Sequence, residues 1–133
     1  MDEVIVHIET EINPTESEEK VKTAVTNILS NATITIQPEG KGSILTAEAK
    51  GQESLSNLRL LMRNDRVRDA SRKALLRSIR GNRIIFYLNK QVAFSGHVSF
   101  CEERAESPLG PLKITIETDY SQQLIEWLAE KST

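Results

Sequence analysis

The chain has 133 residues, 38% of them hydrophobic and 27% charged, which suits one folded domain with a single core and excludes a disordered chain. No apolar run approaches the roughly 20 residues that span a bilayer. The acidic, alternating opening MDEVIVHIETE is unlike a secretory leader, and one cysteine, Cys101, excludes an internal disulfide and a cysteine-based zinc cluster. The expectation is a single domain over residues 1–133, cytoplasmic and away from membranes, with no cofactor. The net charge of −2 argues against a general nucleic-acid coat.

Val4, Val6, Ile8 and Ile12 alternate with polar or small residues and predict a half-buried strand that ends at Pro14. Thr15 with Glu18 reads as a capping box, followed by an amphipathic helix over about 16–30 on Val21, Ala24, Val25, Ile28 and Leu29. Strands are predicted over about 32–37 and 43–50, joined by the turn PEGKG. From Glu53 to Arg80 the spacing is helical in two pieces, interrupted near Asn64-Asp65 and closed by Gly81-Asn82.

RIIFYL and QVAF then read as strands around a tight turn at Asn89-Lys90, and GHVSF continues the sheet. A Pro/Gly loop precedes a strand at about 112–118, and Asp119 caps a final helix bearing Leu124, Trp127 and Leu128. The order β-α-β-β-α-α-β-β-β-α predicts an α+β fold, a mainly antiparallel sheet covered by helices.

Charge is segregated along the chain. Between Arg59 and Arg83 stand nine basic residues against Asp65 and Asp69, a local charge of +7 that leaves −9 for the remainder. On one helix over about 66–80, the spacings of Arg66, Lys73, Arg77 and Arg80 would return them to a narrow arc. Planar guanidinium groups suit phosphate oxygens because they donate two hydrogen bonds at once. A row of them can follow an RNA backbone, with Arg59, Arg63 and Arg83 adding to it. The competing readings are a solvated helix face, and pairing with the acidic remainder of the same or a second copy.

Aromatic placement argues for backbone contacts over base reading. Phe86, Phe94, Phe100 and Trp127 fall at inward positions of the predicted elements, Tyr87 alternates outward, and Tyr120 suits either side. His7 and His97 belong to no metal-ligand cluster. His97 and Cys101, four apart on a strand, would stand about 13 Å from each other. Glu16, Glu18 and Glu19 suit the first turn of a helix, where its dipole favours acids. Glu102, Glu103 and Glu106 have no evident partner acid, nucleophile or metal.

Three stretches, PTESEEKVKTAVTNI at 14–28, LNKQVAFSGHVSF at 88–100 and SPLGPLKITIET at 107–118, resemble an uncharacterised archaeal protein family described as RNA-binding and associated with the exosome. The resemblance runs over almost the whole chain, and departs at Val92, where alanine is expected. It implies a fold similar to the ribosomal protein that binds five-S RNA, and RNA as the partner. The family-like positions are Asn89, Lys90, Gln91, Gly96, Ser107, Pro108, Leu109, Gly110 and Pro111. Of these, Lys90 and Gln91 at an exposed hairpin tip are the candidate contacts.

The resulting expectation is a non-enzymatic RNA-binding protein in RNA processing or translation, with RNA-processing proteins as further partners. Its phosphate contacts would be Arg59, Arg63, Arg66, Lys73, Arg77, Arg80 and Arg83. The alternative is a protein-interaction module or homodimer. An enzyme using the arginines to clamp a small phosphorylated ligand lacks an identifiable base, nucleophile or metal.

Overall fold

The computed structural model describes residues 3–103 and 109–130. In chain order the elements are β1 (Ile5–Ile12), α1 (Glu18–Ile28), β2 (Thr33–Glu39), β3 (Gly42–Lys50), a 3-10 turn (Gln52–Leu55), α2 (Ser56–Asn64) and α3 (Arg68–Arg77). Then follow β4 (Ile79–Arg80), β5 (Arg83–Asn89), α4 (Lys90–Phe94), β6 (Phe100–Cys101), β7 (Pro111–Glu117) and α5 (Ser121–Leu128). The strands form a seven-stranded sheet in the order β2-β3-β1-β7-β5-β4, with β6 also on β5. Every pairing among the described residues is antiparallel, so the expected α+β class is the one observed. Pro38 pairs with Ser43 on the edge strand β2, where a residue lacking an N–H costs no central ladder bond.

Because side chains alternate across a strand, each long strand sends one row to the helices and one to the opposite face. Val6, Ile8, Leu45, Ala47, Ile84, Phe86, Ile114 and Ile116 pack inward against Val21, Val25, Ile28, Leu58, Met62, Leu75, Leu124 and Leu128. The opposite face carries His7, Glu9, Thr46, Glu48, Lys113, Thr115, Ile85 and Tyr87, all exposed or half-buried.

Several local expectations are corrected. The segment QVAF is the helix α4, and the stretch Gly96–Ser99 is irregular, leaving only Phe100–Cys101 as strand. Asn89 opens that helix, its Oδ1 accepting from the Val92 N–H at 2.9 Å, so Asn89-Lys90 is not a hairpin turn. The cap of α1 is Ser17, whose Oγ accepts from the Lys20 N–H at 3.3 Å, rather than Thr15. At α5 the capping position is Tyr120 rather than Asp119, with Thr118 Oγ1 accepting from the Tyr120 N–H at 3.2 Å. Glu106, Ser107 and Pro108 lie outside the described residues.

Candidate nucleic-acid interface

The basic segment is built from two helices and a hairpin, not from one continuous helix. α3 turns Ser71 and Leu75 to the core, which leaves Lys73 and Arg77, four residues apart, exposed on its outer side. Arg66 precedes α3, and Arg80 follows it on β4 opposite Arg83. The expected single arc of Arg66, Lys73, Arg77 and Arg80 is therefore replaced by a ridge along α3 with an arginine beyond each end.

The backbone at Arg66 has a defined cause. The Arg66 N–H donates to Arg63 O at 3.2 Å and the Val67 N–H to Met62 O at 3.1 Å. This pair of bonds is a Schellman motif closing α2, and it requires a left-handed residue between them. That residue is Arg66, at φ 58°, where glycine would avoid the steric cost of a Cβ, about 1 kcal/mol.

The seven predicted contact residues differ in how their charge is used. Arg59 is committed internally: its Nε donates to Trp127 O at 2.9 Å, its Nη2 lies 3.1 Å from Glu130 Oε2, and its guanidinium sits 5.2 Å from the Trp127 ring centre. It joins α2 to α5, which weakens its assignment to RNA. Arg83 is 3.6 Å from Glu117, its cross-strand neighbour. Arg80 folds back to donate to Arg77 O and Ile79 O, both at 2.8 Å, and so satisfies the last carbonyl of α3 and one on β4. Arg77 Nε donates to Lys73 O at 3.3 Å. Among the described residues, Arg63, Arg66, Lys73 and Arg77 have no carboxylate within ion-pair distance.

Lys90 is not an exposed contact. Its side chain is 4% exposed, and Nζ donates to Glu11 O and Leu109 O at 2.7 Å each and to Glu16 Oε1 at 3.0 Å. All three ammonium protons are thereby used. Glu16 Oε1 also accepts from the Asn13 N–H at 2.9 Å and from Asn13 Nδ2 at 2.8 Å. The three sequence stretches that carry the family resemblance meet at this point: Glu16 from the first, Lys90 from the second, Leu109 from the third. Sequence reading missed the pairing because nothing local marks it. Gln91, by contrast, is exposed, on α4 rather than on a hairpin.

Above the pair lies an open cleft of about 410 Å³ between the starts of α1 and α4, lined in part by Lys20, Gln91 and Phe94. Phe94, expected inward, is 41% exposed, because α4 is a helix and turns Lys90 and Ala93 to the interior instead. Its ring lies 5.8 Å from Lys20 Nζ. The Asn89 cap, followed three residues on by the bonded Val92, is the signal that identifies this helix from sequence.

His97 and Cys101 do not converge. His97 Nδ1 lies 2.8 Å from Asp65 Oδ1, and Asp65 Oδ2 accepts from the Val98 N–H at 2.9 Å. A carboxylate only accepts, so Nδ1 carries the donated proton. Burial raises the pKa of the Cys101 thiol, with Glu102 adding to the effect. Burial first, then neighbouring Glu103, raises that of Tyr87.

A family model described as RNA binding matches residues 5–118, from the first residue of β1 to just past β7. Over 125 residues the chain is 42% identical to the UPF0201 protein of Sulfurisphaera tokodaii, covering 94% of this chain and 86% of the relative. The chain belongs to the UPF0201 family. The UPF0201 protein of Sulfolobus acidocaldarius is 40% identical over 127 residues, with 96% and 88% of the two chains covered. The crystal structure of the UPF0201 protein from Methanococcus jannaschii superposes with a TM-score of 0.84 at 28% identity, over 97% of this chain and 95% of that one. A DUF54 protein from Methanothermobacter thermautotrophicus, at 16% identity, TM-score 0.65 and coverage of 98% and 100%, shares the fold alone. The resemblance to an archaeal family read from the sequence is thus a membership. No helix among the described residues is long and apolar enough to cross a membrane.

Proposed function

We propose that this UPF0201 protein is a non-enzymatic RNA-binding protein that holds the phosphate backbone along the α3 ridge. The observation that carries the reading is the set of four cations, Arg63, Arg66, Lys73 and Arg77, that have no carboxylate partner among the described residues. Cationic side chains that neutralise phosphates release the counterions condensed on the RNA, which favours binding. The family model described as RNA binding supports the same partner. Arg66 adds a second line of support, since a large charged side chain occupies a backbone position that favours glycine. A role in RNA processing or translation, in the cytoplasm and with RNA-processing proteins nearby, extends the reading on the strength of the family resemblance.

The test is binding of the purified protein to mixed cellular RNA across a salt series from about 50 to 200 mM. Affinity should fall steeply with salt. In the double variant Lys73→Glu, Arg77→Glu both affinity and salt slope should fall, the slope by about 1.4–1.8 for two phosphates lost. An unchanged affinity in a folded double variant would remove the ridge from the interface.

A homodimer is a second reading, favoured by the sheet face that no helix among the described residues covers. There β1 and β3 present Glu9, Glu11 and Glu48, whereas β7 and β5 present Lys113 and Arg83; Lys50 and Glu117 at one end are the exceptions. A two-fold partner would lay the acidic half of one copy on the basic half of the other. Light scattering at low and high salt tests it: a dimer that dissociates with salt supports the reading, and a monomer at every salt concentration dismisses it.

A further inference from the structure

We propose that the cleft between α1 and α4 is a subsite for one unpaired RNA base, with Phe94 as its stacking platform and Gln91 at its rim. The inference deepens the RNA-binding reading and rests on it. Phe94 is held in place although its ring faces water. Asn27 Nδ2 donates to Ala93 O at 2.9 Å and to Phe94 O at 3.2 Å, and the Asn89 cap fixes the other end of the helix. A phenylalanine 41% exposed on a pinned backbone offers a flat ring face at little further ordering cost.

The charges around the cleft select a base over a phosphate. Its floor is the Lys90–Glu16 pair, in which the two charges cancel. Glu18 and Glu19, in the first turn of α1, are paired with Lys22 at 3.4 and 3.6 Å. Among the described residues that line the cleft, Lys20 is the one cation outside an ion pair, and it already lies over the Phe94 ring. A neutral planar group can stack on the ring and use the Gln91 amide, which offers both donors and an acceptor. Lys20, on a flexible stem, would then meet the flanking phosphate. The cleft volume of about 410 Å³ falls in the range of about 300–1,000 Å³ usual for small-ligand sites.

One contact ties the segment after α4 to the residue before Arg66. Three residues after Phe94, His97 is bonded to Asp65 at 2.8 Å, and Asp65 immediately precedes Arg66. On this proposal a strand whose phosphates follow Lys73 and Arg66 passes His97 and reaches Phe94. This arrangement predicts a preference for single-stranded over duplex RNA.

The test pairs an oligoadenylate with a duplex RNA of equal length, and adds an NMR titration with adenosine monophosphate. Phe94→Ala should lower oligoadenylate affinity by about ten-fold, leave duplex affinity unchanged, and be rescued by Phe94→Tyr. Adenosine monophosphate should shift the Phe94 ring and Gln91 side-chain amide signals, in the wild type and in the Lys73→Glu, Arg77→Glu variant alike. If Phe94→Ala changes nothing while the ridge variant loses RNA, the subsite is wrong and the ridge stands. If the ridge variant keeps full RNA affinity while the Phe94 signals still shift and Phe94→Ala weakens oligoadenylate binding, the subsite stands and the ridge is wrong. Absence of any shift at Phe94 overturns the inference.

Discussion

The ammonium of Lys90 is held 3.0 Å from the carboxylate of Glu16, a residue 74 positions earlier, with the two side chains 4% and 9% exposed. Glu11 O and Leu109 O complete the shell around Nζ, so this pair ties the end of β1, the start of α1, the start of α4 and the approach to β7. Removing one member leaves the other charge buried. Lys90→Met should cost about 3–5 kcal/mol in urea denaturation, and Glu16→Leu combined with it should cost less than the two single changes added. Duplex-RNA affinity of the folded Lys90→Met protein, which draws on the α3 ridge and not on the cleft, should match the wild type.

Arg66 sets stability against binding. Its left-handed backbone, φ 58°, closes α2, and glycine fits that position better. Arg66→Gly should raise stability by up to about 1 kcal/mol, read from the urea midpoint, while weakening RNA binding and reducing the salt slope by about 0.7–0.9. A variant that is both less stable and equally good at binding would contradict the assignment.

Asp65 links pH to the joint between α2 and the segment after α4. The hydrogen bond from His97 holds its carboxyl pKa below the ordinary 3.8; the Val98 N–H and the His97 charge act the same way, and burial opposes them. A depressed carboxyl pKa contributes stability that is present above the unfolded value and lost as pH falls through the folded one. His97→Ala should raise the Asp65 titration midpoint, followed by carbon-detected NMR. It should also lower stability near neutral pH by about 1–2 kcal/mol and flatten the loss of stability below about pH 4.

Arg59 serves the fold. Its bonds to Trp127 O and Glu130 and its position over the Trp127 ring anchor α5 to α2. Arg59→Ala should lower the melting temperature, equivalent to about 1–2 kcal/mol, with RNA affinity unchanged. Lys at this position should recover only part of the loss, because it lacks the planar fork that serves both partners.

The long strands and helices were legible because burial on one face imposes a period that repeats enough times to be recognised. Val6, Ile8 and Ile12 on β1, and Ile114 and Ile116 on β7, show period two and are buried as expected. Val21, Ala24, Val25 and Ile28 show the helical period of α1. Helix α4 has five residues, fewer than two turns, and an apolar run of that length is compatible with either period. Reading it as strand placed Phe94 inside and Lys90 outside, the reverse of their positions.

By itself, then, the sequence determined the α+β class, the long elements and the concentration of positive charge between Arg59 and Arg83, because these follow from local periodicity and composition. Tertiary structure decided which charges remain available. Arg59 is taken up by Trp127 and Glu130, Arg80 by the carbonyl end of α3, and Lys90 by Glu16, whereas Lys73 and Arg77 stay in solvent. The physical reason is that a charged side chain is neutralised by groups brought close in space, and for Arg59 and Lys90 those groups lie some 70 positions away along the chain.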